Sequence, residues 1–208
     1  MVFKLNNDVS LESANKTRNI KKIKNFSNKV VFVNGFAGSA KTMLAPIISS
    51  MDRTEQLVYP YEIQWLSSFF YASKIDENSF IEFLKMHADN TTYNSLMGRN
   101  SNFRYSDISS VLQSKNKFEY IKRIFQKGDN FVLPRIKSEN PIINYVTTDM
   151  FFFINEIGKA FSDRVLFIET VRDPMYMFLQ AKIKQLDYKQ NLTKNFSFSV
   201  FEKDHSSV

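Results

Sequence analysis

Two hydrophobic rhythms share this chain. Val30-Val31-Phe32-Val33 is a continuous run of β-branched and aromatic residues that stops at Asn34-Gly35. Such a run suits a strand buried on both faces, as in a parallel sheet. From Thr42 to Met51 the rhythm changes, and Leu44, Ile47, Ile48 and Met51 fall at helical spacing. Residues 61–125 stay in that regime. Ile63, Leu66 and Phe70, then Phe80, Phe83, Leu84 and His87, mark amphipathic helices, and Asp107–Leu112 and Phe118–Phe125 extend them. Polar breaks fall at Asn100-Ser101-Asn102 and Ser114–Lys117. Strand character returns at Pro141–Val146, a helix is predicted over Phe152–Phe161, and a second strong strand over Arg164–Val171. Pro174 stands where proline opens a helix, which Met175–Leu186 continue. The polar tail from Asp187 is assigned no structure.

Strands separated by helices, with no hairpin signal, predict an α/β layer fold with a parallel sheet. A long helical insertion separates its first two recognisable strands. The expected domain spans residues 29–186, between a basic, flexible leader (1–28) and a polar tail (187–208).

Composition narrows the function classes. The 208 residues suit one domain, and 43% hydrophobic content with 21 phenylalanines supports a real core, which rules out wholesale disorder. The absence of cysteine excludes thiol catalysis, disulfides and cysteine-based zinc sites. The net charge of +7 is concentrated at one end: residues 1–29 hold seven basic residues against two acidic ones. The basic character therefore belongs to the leader, and no nucleic-acid partner is expected of the domain. The longest apolar runs, such as Met150–Ile154, fall far short of the ~20 residues of a spanning helix. No secretory signal is read at the N-terminus, so the expected location is cytoplasmic. Two isolated histidines, His87 and His205, make no metal site. Trp65, with Phe69 and Phe70, reads as core. Arg99 and Arg104 flank an Asn/Ser-rich loop, where exposed arginines are common and an acceptor cleft can also be lined.

The chemistry concentrates at two turns. Gly35-Phe36-Ala37-Gly38-Ser39-Ala40-Lys41-Thr42 follows the best strand and opens a helix. It matches the phosphate-loop pattern G-x-x-x-x-G-K-[ST] except that Ala40 replaces the second glycine, a position expected to have helical dihedrals. Gly35 and Gly38 let the backbone curl so that N–H groups face an anion. The helix start adds partial positive charge. Lys41, expected on an exposed loop, reaches a phosphoryl or sulfuryl oxygen, and Ser39 and Thr42 offer hydroxyls. A bare strand-to-helix turn would explain Gly35 and one hydroxyl, but not the whole set. The second turn is Glu169-Thr170-Val171-Arg172-Asp173-Pro174, at the carboxyl end of a strand, where ligands of open parallel sheets bind. Arg172 there suits a forked phosphate contact, or an ion pair with Asp173 that orders the turn.

Together these turns resemble the sulfotransferase family, with its P-loop NTPase-like three-layer α/β fold. The resemblance covers roughly residues 29–186. It implies that Gly35, Gly38, Ser39, Ala40, Lys41 and Thr42 hold the 5′-phosphosulfate of 3′-phosphoadenosine-5′-phosphosulfate, and that Arg172 holds its 3′-phosphate. Gln180 stands where many members carry a serine as a second 3′-phosphate contact. Gly38 stands where many carry a basic residue, and no glycine follows Gly158 to supply the family's late Arg-Lys-Gly segment. Asp149, in Val146-Thr147-Thr148-Asp149, occupies the place of the family's histidine base and is either the base or a helix cap. The acceptor would be a hydroxyl or amine of a carbohydrate or small molecule. Two rivals remain: a P-loop kinase using Mg-ATP through Lys41-Thr42, and a non-catalytic nucleotide-binding module.

Overall fold

In a computed structural model that describes residues 20–22 and 25–190, Val30, Val31, Phe32 and Val33 are all buried in the middle strand of a sheet. This strand, β1 (Lys29–Asn34), is flanked by β2 (Ile142–Val146) and β3 (Val165–Glu169) in the order β2-β1-β3, both pairings parallel. The protein is therefore α/β, as the alternation of periods predicts. Phe32 lies opposite Tyr145 on one side and Phe167 on the other, with ring centroids 5.4 and 6.1 Å away.

Alternate β1 residues feed two cores. Val30 and Phe32 pack with Phe80, Leu84 and Ala88 of α3 (Glu77–Met97) and with Ile157, Ala160 and Phe161 of α6 (Ile154–Phe161). Val31 and Val33 pack with Ala45 and Ile48 of α1 (Lys41–Ser49), on the opposite face. The period of two makes this division unavoidable in a strand covered on both sides. On the β3 side the cover thins, and Leu166 is 56% exposed.

The insertion comprises α2 (Tyr61–Tyr71), α3, α4 (Lys117–Phe125) and α5 (Val132–Glu139), with short 3-10 turns at Val111–Gln113 and Asp129–Phe131. Asp107–Leu112 does not form the expected helix, because the Asp107 carboxylate takes the Ser109 N–H and hydroxyl, both at 2.9 Å, in a competing turn. Helix α5 carries no strong sequence signal. Its Pro134 is accommodated in the first turn, where a missing N–H costs nothing. Helix α7 (Pro174–Gln190) runs beyond the expected end at Leu186. Residues 191–208 of the tail and 1–19 of the leader lie outside the described residues. Within the described leader, the Ser27 N–H already bonds Asp89 of α3 at 2.8 Å.

One element escapes the hydrophobic pattern entirely. The segment 53–58 runs along the outer edge of β2: Glu55 N donates to Ile142 O (2.8 Å), and Val146 N donates to Val58 O (2.9 Å). Glu55 and Gln56 are buried there, which a hydrophobicity reading excludes from a strand. Their cost is offset by partners far along the chain. Arg123 grips Glu55 with two nitrogens at 2.6 and 2.9 Å, and the Tyr120 hydroxyl donates to the same carboxylate at 2.9 Å.

Candidate functional site

Because β2, β1 and β3 run parallel, their carboxyl ends open on one side, and the segment after each strand faces the same crevice. Asn34 holds these ends together. It is 1% exposed, and its Nδ2 donates to Glu169 (2.6 Å). Its Oδ1 accepts from the Thr147 hydroxyl (2.9 Å) and Met150 N (3.1 Å), and its carbonyl from Thr170 N and Oγ1, both at 2.9 Å. The sequence reading passed over Asn34. Its only signal is a polar residue closing an otherwise apolar strand.

The loop from β1 to α1 curls through left-handed dihedrals, with φ of 89° at Gly38 and 73° at Ala40. Ala40 is therefore not in the helical conformation expected of it. It holds the left-handed geometry that glycine adopts most easily, at a cost of about 1–2 kcal/mol to an L-residue. Gly35 is required by space: a Cβ there would collide with the hydroxyls of Thr170 and Ser39. Ser39 is buried, and its hydroxyl lies 2.7 Å from that of Thr170, which fastens the loop to the end of β3. Helix α1 opens with no side-chain cap and no acidic residue in its first turn. Its positive end is uncompensated by side chains, beside a curl of the kind that binds anions. Thr42 stands exposed in that turn.

Lys41 departs from expectation. It is 9% exposed rather than projecting from the loop, and its Nζ donates to Gly35 O and to the Thr148 hydroxyl, both at 2.5 Å. The ammonium is thus stretched across the loop toward the end of β2. Asp149 is close enough to feel it. Partial burial raises the Asp149 carboxyl above its ordinary value, and the Lys41 charge opposes that rise. Asp149 keeps solvent access, has a left-handed φ of 60°, and makes no capping hydrogen bond to the following 3-10 turn, Met150–Phe153. The capping alternative is not realised.

Arg172 comes from β3's side. Its Nη1 donates to Gly38 O and to Gln180 Oε1, each at 3.3 Å, and its guanidinium lies over the Tyr176 ring at 5.4 Å. The ion pair with Asp173 does not form: among the described residues no salt bridge joins them, and Asp173 instead accepts Met175 N (2.8 Å) at the start of α7. The loop of Gly35, Gly38, Ser39, Ala40, Lys41 and Thr42 thus meets Thr148, Thr170, Arg172 and Gln180 at the carboxyl ends of the strands, with Asp149 next to Thr148.

Other readings separate. His87 is half-enclosed between sheet and helices, 2.9 Å from the Tyr145 hydroxyl and 3.5 Å from Glu62. Trp65 and Phe69 are not core: they are 37% and 43% exposed, while Phe70 packs against Phe80. Periodicity at 63, 66 and 70 assigns one face of α2; residues 61, 65 and 69 share another. Among the described residues no helix is long and apolar enough to cross a membrane.

No protein-family model matches the chain, and no curated protein or solved structure matches it.

Proposed function

We propose that this protein is a sulfotransferase on a P-loop-type fold, taking 3′-phosphoadenosine-5′-phosphosulfate as donor and an acceptor hydroxyl or amine. The observation that carries the reading is Arg172, poised at the Gly38 carbonyl beside the anion-binding curl and paired with Gln180. A loop for one phosphate explains neither residue. Two anion subsites side by side explain both, and a nucleotide with 5′ and 3′ charged groups fits them. Gln180 accepts from Arg172 through Oε1, which leaves its Nε2 as the donor for a phosphate oxygen.

Each residue then has a task. Lys41, the loop N–H groups and the hydroxyls of Ser39 and Thr42 stabilise charge on the transferring sulfuryl oxygens. Arg172 and Gln180 hold the 3′-phosphate and fix the donor in line. Asp149 accepts the acceptor's proton as the new bond to sulfur forms and the old sulfur–oxygen bond breaks, releasing 3′,5′-adenosine bisphosphate. The raised pKa of Asp149 favours this role, since a base works best when its pKa approaches the working pH. The rival, a P-loop kinase using Mg-ATP, draws on Lys41 and the exposed Thr42.

Calorimetry separates the two. Charge-assisted hydrogen bonds contribute ~1.5–3 kcal/mol each, so 3′,5′-adenosine bisphosphate is expected to bind at least about tenfold better than 5′-AMP without magnesium. Arg172→Ala should remove that preference and leave 5′-AMP binding little altered. Equal affinity for the two nucleotides, or tight binding of Mg-ATP alone, would overturn the sulfotransferase reading in favour of the kinase.

A further inference from the structure

A cavity of about 300 Å³ lies beside the crevice, between the extended segment 54–59, the end of α3 and the loop at 100–111. One wall is aromatic. Tyr59 stacks on Tyr61 (6.2 Å, 20°), and Tyr61 on Trp65 (6.3 Å, 23°), so a ladder of three rings runs from the cavity to the surface. The opposite wall is polar and pre-formed. Asp107 holds Ser109, Asn102 Nδ2 donates to the Ser109 hydroxyl (2.8 Å), and Gln56 Nε2 donates to Ile108 O and Ser110 O, both at 3.1 Å.

The cavity adjoins the proposed reaction centre. Val58 pairs with the end of β2, so Tyr59 stands level with Val146 and Thr147, just before Asp149. Tyr59 also packs in the cluster that contains Leu44 of α1. Tyr59 therefore joins the cavity wall to the core beneath α1, beside the strand that leads to Asp149.

Charge decides what the cavity recognises. The lining contains no lysine or arginine; it has Glu55, already matched by Arg123, and Asp107. An anionic ligand finds no counter-charge here, in contrast to the loop around Lys41 and Arg172. The Tyr59 hydroxyl has no hydrogen-bond partner among the described residues, and burial, with Tyr61 and Asp107 adding to it, raises its pKa and keeps it neutral. Exposed Asn100 and half-buried Ser101 add an amide and a hydroxyl.

Flat electron-rich faces opposite neutral amides, hydroxyls and a carboxylate suit a ring with weakly positive C–H faces and a rim of hydroxyls. The volume, at the lower end of the ~300–1,000 Å³ of ligand pockets, suits a single small ring. We propose that this cavity binds a neutral sugar ring and is the acceptor subsite, with Tyr59 as platform and Asn100, Ser101 and Asp107 reading hydroxyls. Its role as acceptor subsite rests on the sulfotransferase reading; sugar binding there does not.

Trp65 is the chain's single tryptophan, so its emission reports on the ladder. The full chain is titrated with methyl glycosides of glucose, galactose and N-acetylglucosamine, with 4-nitrophenol as a flat ring lacking the hydroxyl rim. The expected result is a saturable emission change with at least one glycoside, undisturbed by 3′,5′-adenosine bisphosphate. Tyr59→Ala and Asn100→Ala should each weaken that glycoside by about tenfold or more (~1.4 kcal/mol). Asn100, on the exposed loop, keeps the test valid if the Tyr59 variant folds poorly. No response to any glycoside from folded protein, full affinity in Asn100→Ala, or response to 4-nitrophenol alone would overturn the sugar assignment. Glycoside binding without bisphosphate binding would support the sugar site and remove the sulfotransferase reading. Bisphosphate binding without glycoside binding would do the reverse.

Discussion

Arg123 and Arg172 show two ways in which this molecule holds a guanidinium. Arg123 of α4 is half-buried against the segment 53–58, bidentate to buried Glu55 at 2.6 and 2.9 Å and 3.3 Å from Glu139. It lies over the Tyr120 ring, whose hydroxyl completes the Glu55 carboxylate. Charge there is matched within the protein. Arg172 is exposed and, among the described residues, donates to a neutral carbonyl and a neutral amide, both at 3.3 Å, and lies over the Tyr176 ring. A cation held by neutral oxygens keeps most of its charge for an incoming anion, while one locked to a carboxylate has spent it. The contrast separates a charge that maintains the fold from one that suits binding, and neither composition nor net charge reveals it.

The largest expected effect comes from breaking the matched pair. Arg123→Met strands Glu55 in a buried site, where removing one partner costs about 3–5 kcal/mol. Urea unfolding should read a loss of that size, and Glu55→Gln in the same background should restore part of it. A loss below about 1 kcal/mol would mean that the two arginines are energetically alike, against the matched-versus-unspent contrast.

On the crevice side, Asp149→Asn should lower turnover by roughly 10²-fold or more, as expected when a general base is removed, with donor affinity little changed. The pH dependence carries a sign. The folded Asp149 holds its proton more tightly than the unfolded chain does, so its contribution to stability is present below the ordinary aspartate value. It is lost as pH rises through the raised folded value. The ascending limb of turnover against pH should therefore lie above the ordinary aspartate value. In Asp149→Asn the pH slope of unfolding free energy across that window should flatten.

The smallest effect tests the loop itself. Ala40→Gly relieves a left-handed strain of about 1–2 kcal/mol, while glycine's extra freedom in the unfolded chain returns about 0.4–1 kcal/mol. Thermal unfolding should show a net gain between about 0 and about 1.6 kcal/mol. A loss would indicate that Ala40 leaves the left-handed region in solution.

Short-range rules made a large part of this legible from the sequence alone. The alternation of a double-covered strand with helical spacing determined an α/β fold with a parallel sheet. Gly35 and Gly38 marked the loop after β1, and Arg172-Asp173-Pro174 marked the turn after β3. These are signals between neighbours, set by backbone sterics and periodicity, and they hold wherever the chain is placed. The rest was decided between distant residues. Nothing local in Thr54–Val58 indicates a sheet edge, because Glu55 is acceptable there only once Arg123, 68 positions later, reaches it. Lys41 is buried with the Thr148 hydroxyl reaching it across the loop, and Asn34 becomes a hub because Thr147 and Glu169 stand beside it at the ends of the neighbouring strands. Trp65 is exposed because α2 turns another face to the core. Burial of a polar or charged group depends on its partner, and the partner's position is a property of the tertiary structure.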